Sequence, residues 1–148
     1  MTEPYNQLGE ISRRDPFIIS TDPTKADHDV IAGFLATSYW AGTVPRDRII
    51  RSLDGSFTYH LIDEPTDAQI GFARVVSDSA RFAYLCDVFV LDSYRGRGLG
   101  AWLIETAMAD ARLESVGRWV LATADAQPFY RKLGFEDAKP GRYMIRDL

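Results

Sequence analysis

The chain has 148 residues, the length of one ordinary domain and too short for two independent cores. Hydrophobic residues make up 46% and charged residues 26% of it, a mixture that is typical of globular proteins and excludes a disordered chain. The net charge of −4 argues against a broad nucleic-acid surface, and the single cysteine, Cys86, cannot form an internal disulfide. The sequence has neither a signal-peptide pattern nor an apolar run of about 18 residues, so we expect a cytoplasmic protein without membrane contact.

The first half of the sequence predicts a strand, two helices and three further strands. Residues 1–16 show no sustained periodicity, so we expect a loosely held N-terminal arm ahead of a single domain over residues 17–148. Apolar residues then recur first at helical spacing and later, after Asp54-Gly55, in twofold alternation. The predicted elements are a strand at 17–20, a helix after a Thr24/Asp27 capping box, a second helix opened by Pro45, and strands at 57–62, 70–76 and 82–91. Short turns join the last three strands, which predicts an antiparallel meander.

The second half of the sequence predicts a parallel crossover. A glycine-rich stretch at 95–100 opens a helix that we expect to run to about Ser115, and an apolar strand follows at 118–123. The remaining candidates are a short helix at 127–133, closed by Gly134, and terminal strands at 135–136 and 143–146. The predicted fold class is α/β, with a mixed sheet in which a β-α-β crossover follows the meander.

Three glycines, Gly96, Gly98 and Gly100, stand between a strand and a helix. Such a turn leaves backbone N–H groups bare at the positive end of a helix dipole, and Arg95 and Arg97 add positive charge. A phosphate or pyrophosphate is therefore the expected ligand. The alternative is a plain connection in which the glycines only allow a tight turn.

Other phosphate-binding motifs fit this turn less well. No G-x-x-x-x-G-K-[ST] sequence occurs, which excludes a P-loop. Gly96, Gly98 and Ala101 match the dinucleotide pattern G-x-G-x-x-A, with Asp125 at the end of the next strand. A dinucleotide fold, however, places this turn after its first strand and has no antiparallel meander before it, so this alternative is disfavoured.

Two motifs, the strand pattern that precedes the first of them, and the element order resemble those of a known family. The matching residues are Val88, Val90 and Arg95 for hydrophobic-x-Val-x-x-x-x-Arg, Arg95, Gly98 and Gly100 for [QR]-x-x-G-x-[GA], and Tyr130, Gly134 and Phe135 for Tyr-x-x-x-Gly-Phe. On these motifs the chain resembles the GNAT family of acetyl-CoA-dependent N-acetyltransferases over roughly residues 17–146. The resemblance implies a GNAT-like acyltransferase fold.

The resemblance also implies how acetyl-CoA is bound. In the family the strands at 87–91 and 118–123 splay apart, the pantetheine arm lies in the gap, and the pyrophosphate lies on the glycine turn. The implied cofactor-binding residues are Val88, Phe89, Val90, Arg95, Gly96, Arg97, Gly98, Leu99 and Gly100. A backbone N–H near Val88 would polarise the thioester carbonyl. Many members carry a cofactor-binding asparagine after the second splayed strand, where this chain has Thr123 and Asp125.

Two residues are the candidate catalytic groups. By resemblance, Tyr130 is the acid that protonates the departing thiolate. Asp87 is the first choice for the base or the amine anchor, because a carboxylate in an otherwise apolar strand is costly unless it is paired or functional. The alternatives are that Tyr130 only packs beneath its helix and that Asp87 pairs with an arginine such as Arg74 or Arg118.

Tyr39 and Trp40 are the candidate substrate-binding residues. In the family the connection between the first two helices lines the acceptor pocket, and two aromatic rings there suit an amine by stacking or cation–π contact. The alternative is that both rings cover the core. Strand alternation places Cys86 on the face opposite Asp87, as a packing residue. Neither histidine has a second ligand at metal spacing, so no metal site is predicted.

The predicted function is the direct transfer of an acetyl group from acetyl-CoA to a primary amine of a small molecule, without a covalent enzyme intermediate. Two alternatives remain: a peptide or protein N-acetyltransferase, and an acyl-CoA-binding module without turnover. The expected partner is the amine substrate, with neither nucleic acid nor membrane, and a homodimer is compatible with the sequence.

Overall fold

The architecture is a six-stranded mixed sheet with helices on both faces. The structure, a computed structural model, describes residues 8–148, and the first seven residues of the predicted arm lie outside that range. The strands are β1 (Glu10–Arg14), β2 (Phe17–Ser20), β3 (Phe57–Asp63), β4 (Ala68–Ser77), β5 (Phe82–Val90) and β6 (Arg118–Val120). They are hydrogen-bonded in sequence order, and all pairs are antiparallel except β5 with β6. The predicted mixed sheet, with its meander and parallel crossover, is confirmed.

Within residues 8–148, four α-helices connect and cover the strands. They are α1 (His28–Ala36), α2 (Arg46–Asp54), α3 (Leu99–Met108) and α4 (Gln127–Lys132). The cap of α1 is Asp27 itself, whose carboxylate accepts hydrogen bonds from the N–H groups of Asp29 and Val30, so the predicted role of Thr24 in a capping box is wrong. Pro45 directly precedes α2, as its fixed φ favours at a helix start.

Two hydrophobic clusters hold the helices on the sheet. The larger one packs α3, through residues such as Trp102 and Leu103, against apolar residues of β2 to β5. The smaller one packs α1 and α2 against Phe72 and Phe89 on the other face. Phe89 stacks on Phe34 of α1 at 4.2 Å between ring centroids. Because both faces are covered, β4 and β5 are mostly buried.

Residues 10–14 form strand β1, so the predicted loose arm is wrong for this segment. β1 pairs with β2 antiparallel, with a register irregularity between Glu10 and Ser12. Arg13 makes ion pairs with Glu10, Asp15 and Glu64, and the indole N–H of Trp102 donates to Ser12 at 2.9 Å. Because the segment has few apolar residues to bury, we infer that these hydrogen bonds and ion pairs stabilise it as a strand.

The C-terminal part of the prediction needs three corrections. Helix α3 ends at Met108, and a separate 3-10 turn at Ala111–Leu113 follows, so the helix does not reach Ser115. Strand β6 is three residues long and ends at Val120. Neither 135–136 nor 143–146 forms a strand, and in the described chain the β6 edge away from β5 has no strand beside it. Tyr143, Met144 and Ile145 are exposed, so no buried face stabilises extended pairing there.

Candidate active site

The site lies where the two parallel strands stop pairing. The register of β5 with β6 ends at Tyr84 opposite Val120, although β5 continues to Val90. The strand pair therefore opens, as predicted, between the second half of β5 and the segment after β6. A cavity of about 480 Å³ lies at this opening. Its walls come from the connection of α1 to α2, from α2, from β5 and from the residues that follow β6.

A β-bulge interrupts β5 at this opening. Phe72 pairs with Phe89 and Arg74 with Cys86, so Asp87 and Val88 together lie opposite the single residue Ala73. Asp87 has a φ of +53°, in the left-handed region that aspartate tolerates better than most residues. A bulge breaks the ladder and reorients its side chains. Cys86 and Asp87 accordingly line the same cavity, and the predicted separation of the two on opposite faces is wrong.

The carboxylate of Asp87 is buried and fully engaged. Its side chain is 8% exposed, and Oδ2 accepts a hydrogen bond from Nε of Arg74 at 2.8 Å, within a salt bridge. Oδ1 accepts from the indole N–H of Trp40 at 2.9 Å. Arg74, 18% exposed, also donates to the hydroxyl of Ser56, which follows α2. Asp87 therefore ties the α1–α2 connection and the end of α2 to the strand, and the arginine partner is Arg74 and not Arg118.

The glycine turn forms a concave stretch of bare backbone. Gly96 and Gly98 have φ values of +79° and +74°, and Gly98 precedes the first residue of α3. Among the described residues, no acceptor lies within hydrogen-bond distance of the N–H groups from Gly96 to Gly100. A Cβ built on Gly96 or Gly98 meets no atom within 4 Å, so the space above the turn is open. The turn fits a pyrophosphate, because open space and unpaired donors coincide at a helix start.

The two arginines of the turn are held by neighbouring groups. Nε of Arg95 donates to the carbonyl of Val90 at 3.1 Å, and its guanidinium pairs with Asp92. The guanidinium of Arg97 lies over the ring of Tyr94 at 5.5 Å. These contacts hold each arginine close to the turn, and both side chains are largely exposed.

Three of the predicted cofactor-binding side chains lie in the core. The ring of Phe89 packs in the smaller hydrophobic cluster, and the side chains of Val90 and Leu99 pack in the larger one. Only the backbone of these residues is available to a ligand. Val88 and Val90 lie at the opening of the strand pair, where the bulge frees the backbone beside Val88 from regular pairing.

Tyr130 lies on α4 at the far wall of the cavity. Its ring packs edge-on against Phe129 and Phe135, with centroids 5.1 and 5.8 Å away. Burial, followed by the nearby Tyr39, raises the pKa of the Tyr130 phenol above its usual value. No partner lies within hydrogen-bond distance of its hydroxyl in residues 8–148. The phenol is therefore protonated at neutral pH and has a free proton to donate.

Tyr39 and Trp40 lie at the mouth of the cavity. They are 62% and 41% exposed, and their rings contact each other edge-on at 5.1 Å. The hydroxyl of Tyr39 accepts a hydrogen bond from the N–H of Ala124 at 2.9 Å, which connects the α1–α2 connection to the segment after β6. With the bond from Trp40 to Asp87, this contact holds both rings in place across the opening. The rings line the cavity and do not cover the core.

The structure adds residues that the sequence did not indicate. Arg48, Ile49 and Ser52 of α2 line the same cavity, as does Asp125. The helical spacing of α2 predicts its apolar face. It does not predict which strand the polar residues of the helix lie beside, so Arg48 and Ser52 could not be assigned to the site. Cys86 is largely buried, and this burial raises the pKa of its thiol to about 11, which is unfavourable for a nucleophile.

Within residues 8–148, no group of three metal-ligating side chains comes together, and no helix is long and apolar enough to cross a membrane.

An open parallel strand pair, a bulge beside it and an open glycine turn at the next helix are the features expected of the class of α/β acyltransferase domains that the motifs implied. Residues 55–137, more than half of the chain, match the family model "Acetyltransferase (GNAT) domain". A crystal structure of a GNAT-family protein from Xanthomonas campestris pv. campestris is 36% identical, with a TM-score of 0.83 over 89% of this chain and 93% of that one. The chain belongs to the GNAT acetyltransferase family.

Two curated relatives extend the comparison. A protein of Gibberella zeae that is named as an acetyltransferase is 27% identical to this chain, over 93% of this chain and 86% of its own length. The histone acetyltransferase TAP1 of Glycine max is 43% identical over 68 residues, 45% of this chain and 29% of that protein. The chain thus spans most of the first relative and under a third of the second.

Proposed function

We propose that the protein transfers an acetyl group from acetyl-CoA directly to a primary amine of a small molecule. The observation that carries the proposal is the part of β5 beyond Tyr84 that no longer pairs with β6: a cavity lined by Tyr130 lies beside it, and the open glycine turn follows it in the chain. Acetyl-CoA, when bound, supplies a thioester whose carbonyl carbon an amine can attack. The N–H groups from Gly96 to Gly100 would bind its pyrophosphate, and the backbone at Val88 to Val90 would align its pantetheine arm.

The residues of the cavity have distinct proposed tasks. The N–H beside the bulge, near Val88, stabilises the oxyanion that forms on the thioester carbonyl. Tyr130 protonates the departing sulfur, since its raised pKa keeps the proton on the phenol until a strong base develops nearby. Tyr39 and Trp40 contact the amine substrate through their ring faces.

Asp87 was predicted as a base or an anchor. Its two oxygens accept hydrogen bonds from Trp40 and Arg74. These contacts favour an anchoring role, in which Asp87 holds the ring of Trp40 and the side chain of Arg74 in fixed positions at the cavity. A carboxylate can still accept the ammonium proton through a water molecule. The pH dependence of an Asp87→Asn variant separates the two roles, as developed in the Discussion.

The experiment that tests the proposal follows free-thiol release in the presence of acetyl-CoA and pooled small primary amines. Thiol release that requires both substrates supports acetyl transfer. Release at the same rate without an amine would contradict it. A thermal-shift assay provides the binding arm: acetyl-CoA should raise the Tm, because a ligand that binds only the native state stabilises it, whereas NADH should not.

A peptide or protein substrate is the second candidate. The partial match to a histone acetyltransferase is the observation that favours it. A lysine-containing peptide added to the same thiol-release assay decides between the two substrates, and the better substrate is the one with the higher kcat/KM. Acetyl-CoA binding without thiol release from any amine or peptide would indicate a binding module.

A further inference from the structure

Four charged side chains line the cavity, and two of them neutralise each other. Arg74 and Asp87 form the buried salt bridge, so neither presents a free charge to a ligand. The other two are Arg48 on α2 and Asp125 in the segment after β6. Neither side chain has a hydrogen-bond or ion-pair partner among residues 8–148. One positive and one negative group therefore remain for a bound molecule.

Arg48 extends from a helix that is fixed in place. Ile49 beside it is buried in the smaller hydrophobic cluster, and Ser52, one turn further along, lines the cavity as well. The ion pair of Arg46 with Asp29 joins the start of α2 to α1. Arg51, on the same helix, is also exposed but does not line the cavity. Arg48 is thus the one charged residue of α2 that lines the cavity.

We propose that the acceptor amine also carries a carboxylate, as an amino acid does, and that Arg48 binds this carboxylate. This substrate class presupposes the acetyl transfer proposed above. A guanidinium donates two parallel hydrogen bonds to a carboxylate, which fixes orientation as well as charge. The carboxylate of Asp125 attracts the ammonium form of the same molecule before it loses its proton. The faces of Tyr39 and Trp40 contact its hydrocarbon part.

The test compares amino acids with the matching amines that lack the carboxylate. The pairs are L-phenylalanine with 2-phenylethylamine, L-leucine with 3-methylbutylamine, and 4-aminobutyrate with propylamine. For each pair, the ratio of kcat/KM values is corrected for the fraction of neutral amine. We expect the wild type to prefer the acid in at least one pair. Arg48→Gln should lower that preference by about 10- to 100-fold, the range for a charge-assisted hydrogen bond. The matched variant Arg51→Gln should leave it unchanged.

Calorimetry measures the binding of these compounds directly, so it tests carboxylate recognition independently of turnover. The same pairs are titrated into the protein saturated with coenzyme A. Tighter binding of the acid by the wild type, lost in Arg48→Gln, supports carboxylate recognition even if no thiol is released, in which case only the acetyl-transfer proposal fails. If the protein acetylates and binds the plain amines at least as well as the acids, carboxylate recognition is wrong and acetyl transfer stands. An Arg48→Gln effect no larger than that of Arg51→Gln would overturn the role of Arg48.

Discussion

Replacing Asp87 with asparagine perturbs the two contacts that join the α1–α2 connection and the end of α2 to β5. Asparagine has nearly the same shape and tolerates the left-handed φ of +53°, so the bulge is retained. It has, however, one acceptor oxygen in place of two. It can accept from the indole of Trp40 or from Nε of Arg74, but not from both, and it no longer balances the arginine charge.

The expected loss of stability follows from burial. Asp87 and Arg74 are 8% and 18% exposed, so water compensates little for the lost partner. Removing one member of a buried ion pair costs about 3 kcal/mol. For a domain of this size that free energy lowers the Tm by about 6–12 °C. Neutralising both members, in Asp87→Asn with Arg74→Gln, should restore part of the loss because no uncompensated charge remains.

The assay combines thermal unfolding with a pH profile of kcat/KM. The control variant is Asp125→Asn, which alters a carboxylate of the same cavity that is exposed and unpaired, and its Tm should stay within about 1 °C of the wild type. If Asp87 acts by anchoring, Asp87→Asn lowers kcat/KM at every pH, and Trp40→Phe produces a similar loss. If Asp87 is the base, the loss caused by Asp87→Asn becomes smaller as the pH rises, because the amine then loses its proton without help, whereas the loss in Trp40→Phe does not. An Asp87→Asn protein with the wild-type Tm would refute the stabilising role assigned to the ion pair.

Three further predictions concern the acid, the glycine turn and a buried histidine. Tyr130→Phe should lower kcat by about 10²–10⁴-fold with a nearly constant KM for acetyl-CoA, and an unchanged kcat in steady-state assays would remove Tyr130 from the mechanism. Gly98→Val should abolish the Tm increase caused by acetyl-CoA, because the side chain would fill the open space of the turn, whereas Gly117→Val, at a glycine without a positive φ, should retain the increase. Burial lowers the pKa of His60 to about 4, below its unfolded value of about 6.5, so the unfolded state takes up the proton first as the pH falls. The protein should therefore lose about 3 kcal/mol between pH 6.5 and pH 4 in denaturant titrations, and a His60→Gln variant that keeps the same slope would contradict this assignment.

Periodicity predicted the central elements because their environment is regular. Strands β3 to β5 alternate or are continuously apolar as a buried sheet requires, and α1 and α2 carry one apolar face. Strand β1 has no such pattern, since it depends on pairing with β2 and on the ion pairs of Arg13. The segment Tyr143 to Arg146 has a strand-like composition, but the structure gives it no adjacent strand, and composition alone cannot supply one.

The placement of candidate site residues was predictable from sequence where a local motif determines the backbone conformation or the position of a side chain. The glycine turn and Tyr130 each lie in a local pattern, and the structure brings both to the opening of the β5–β6 pair. The partner of Asp87 depended on register, since Arg74 lies beside it only because Arg74 pairs with Cys86 across the bulge. The bulge also placed Cys86 in the cavity, which simple alternation excluded. Arg48 depended on how α2 packs, and a helical period alone does not specify that.

The most direct test of acetyl transfer follows the acetyl group itself. Wild-type protein is mixed with acetyl-CoA deuterated in the acetyl methyl group and with the amine or amino acid that gives the fastest thiol release, and both the small molecule and the intact protein are analysed by mass spectrometry. Direct transfer predicts a deuterated acetyl group on the nitrogen of the acceptor, with product formed in proportion to thiol released and no acetylated protein at early times. An acetyl group that appears first on the protein, on Cys86 or elsewhere, and then moves to the amine would contradict the direct mechanism, and the absence of any deuterated product would contradict acetyl transfer to amines.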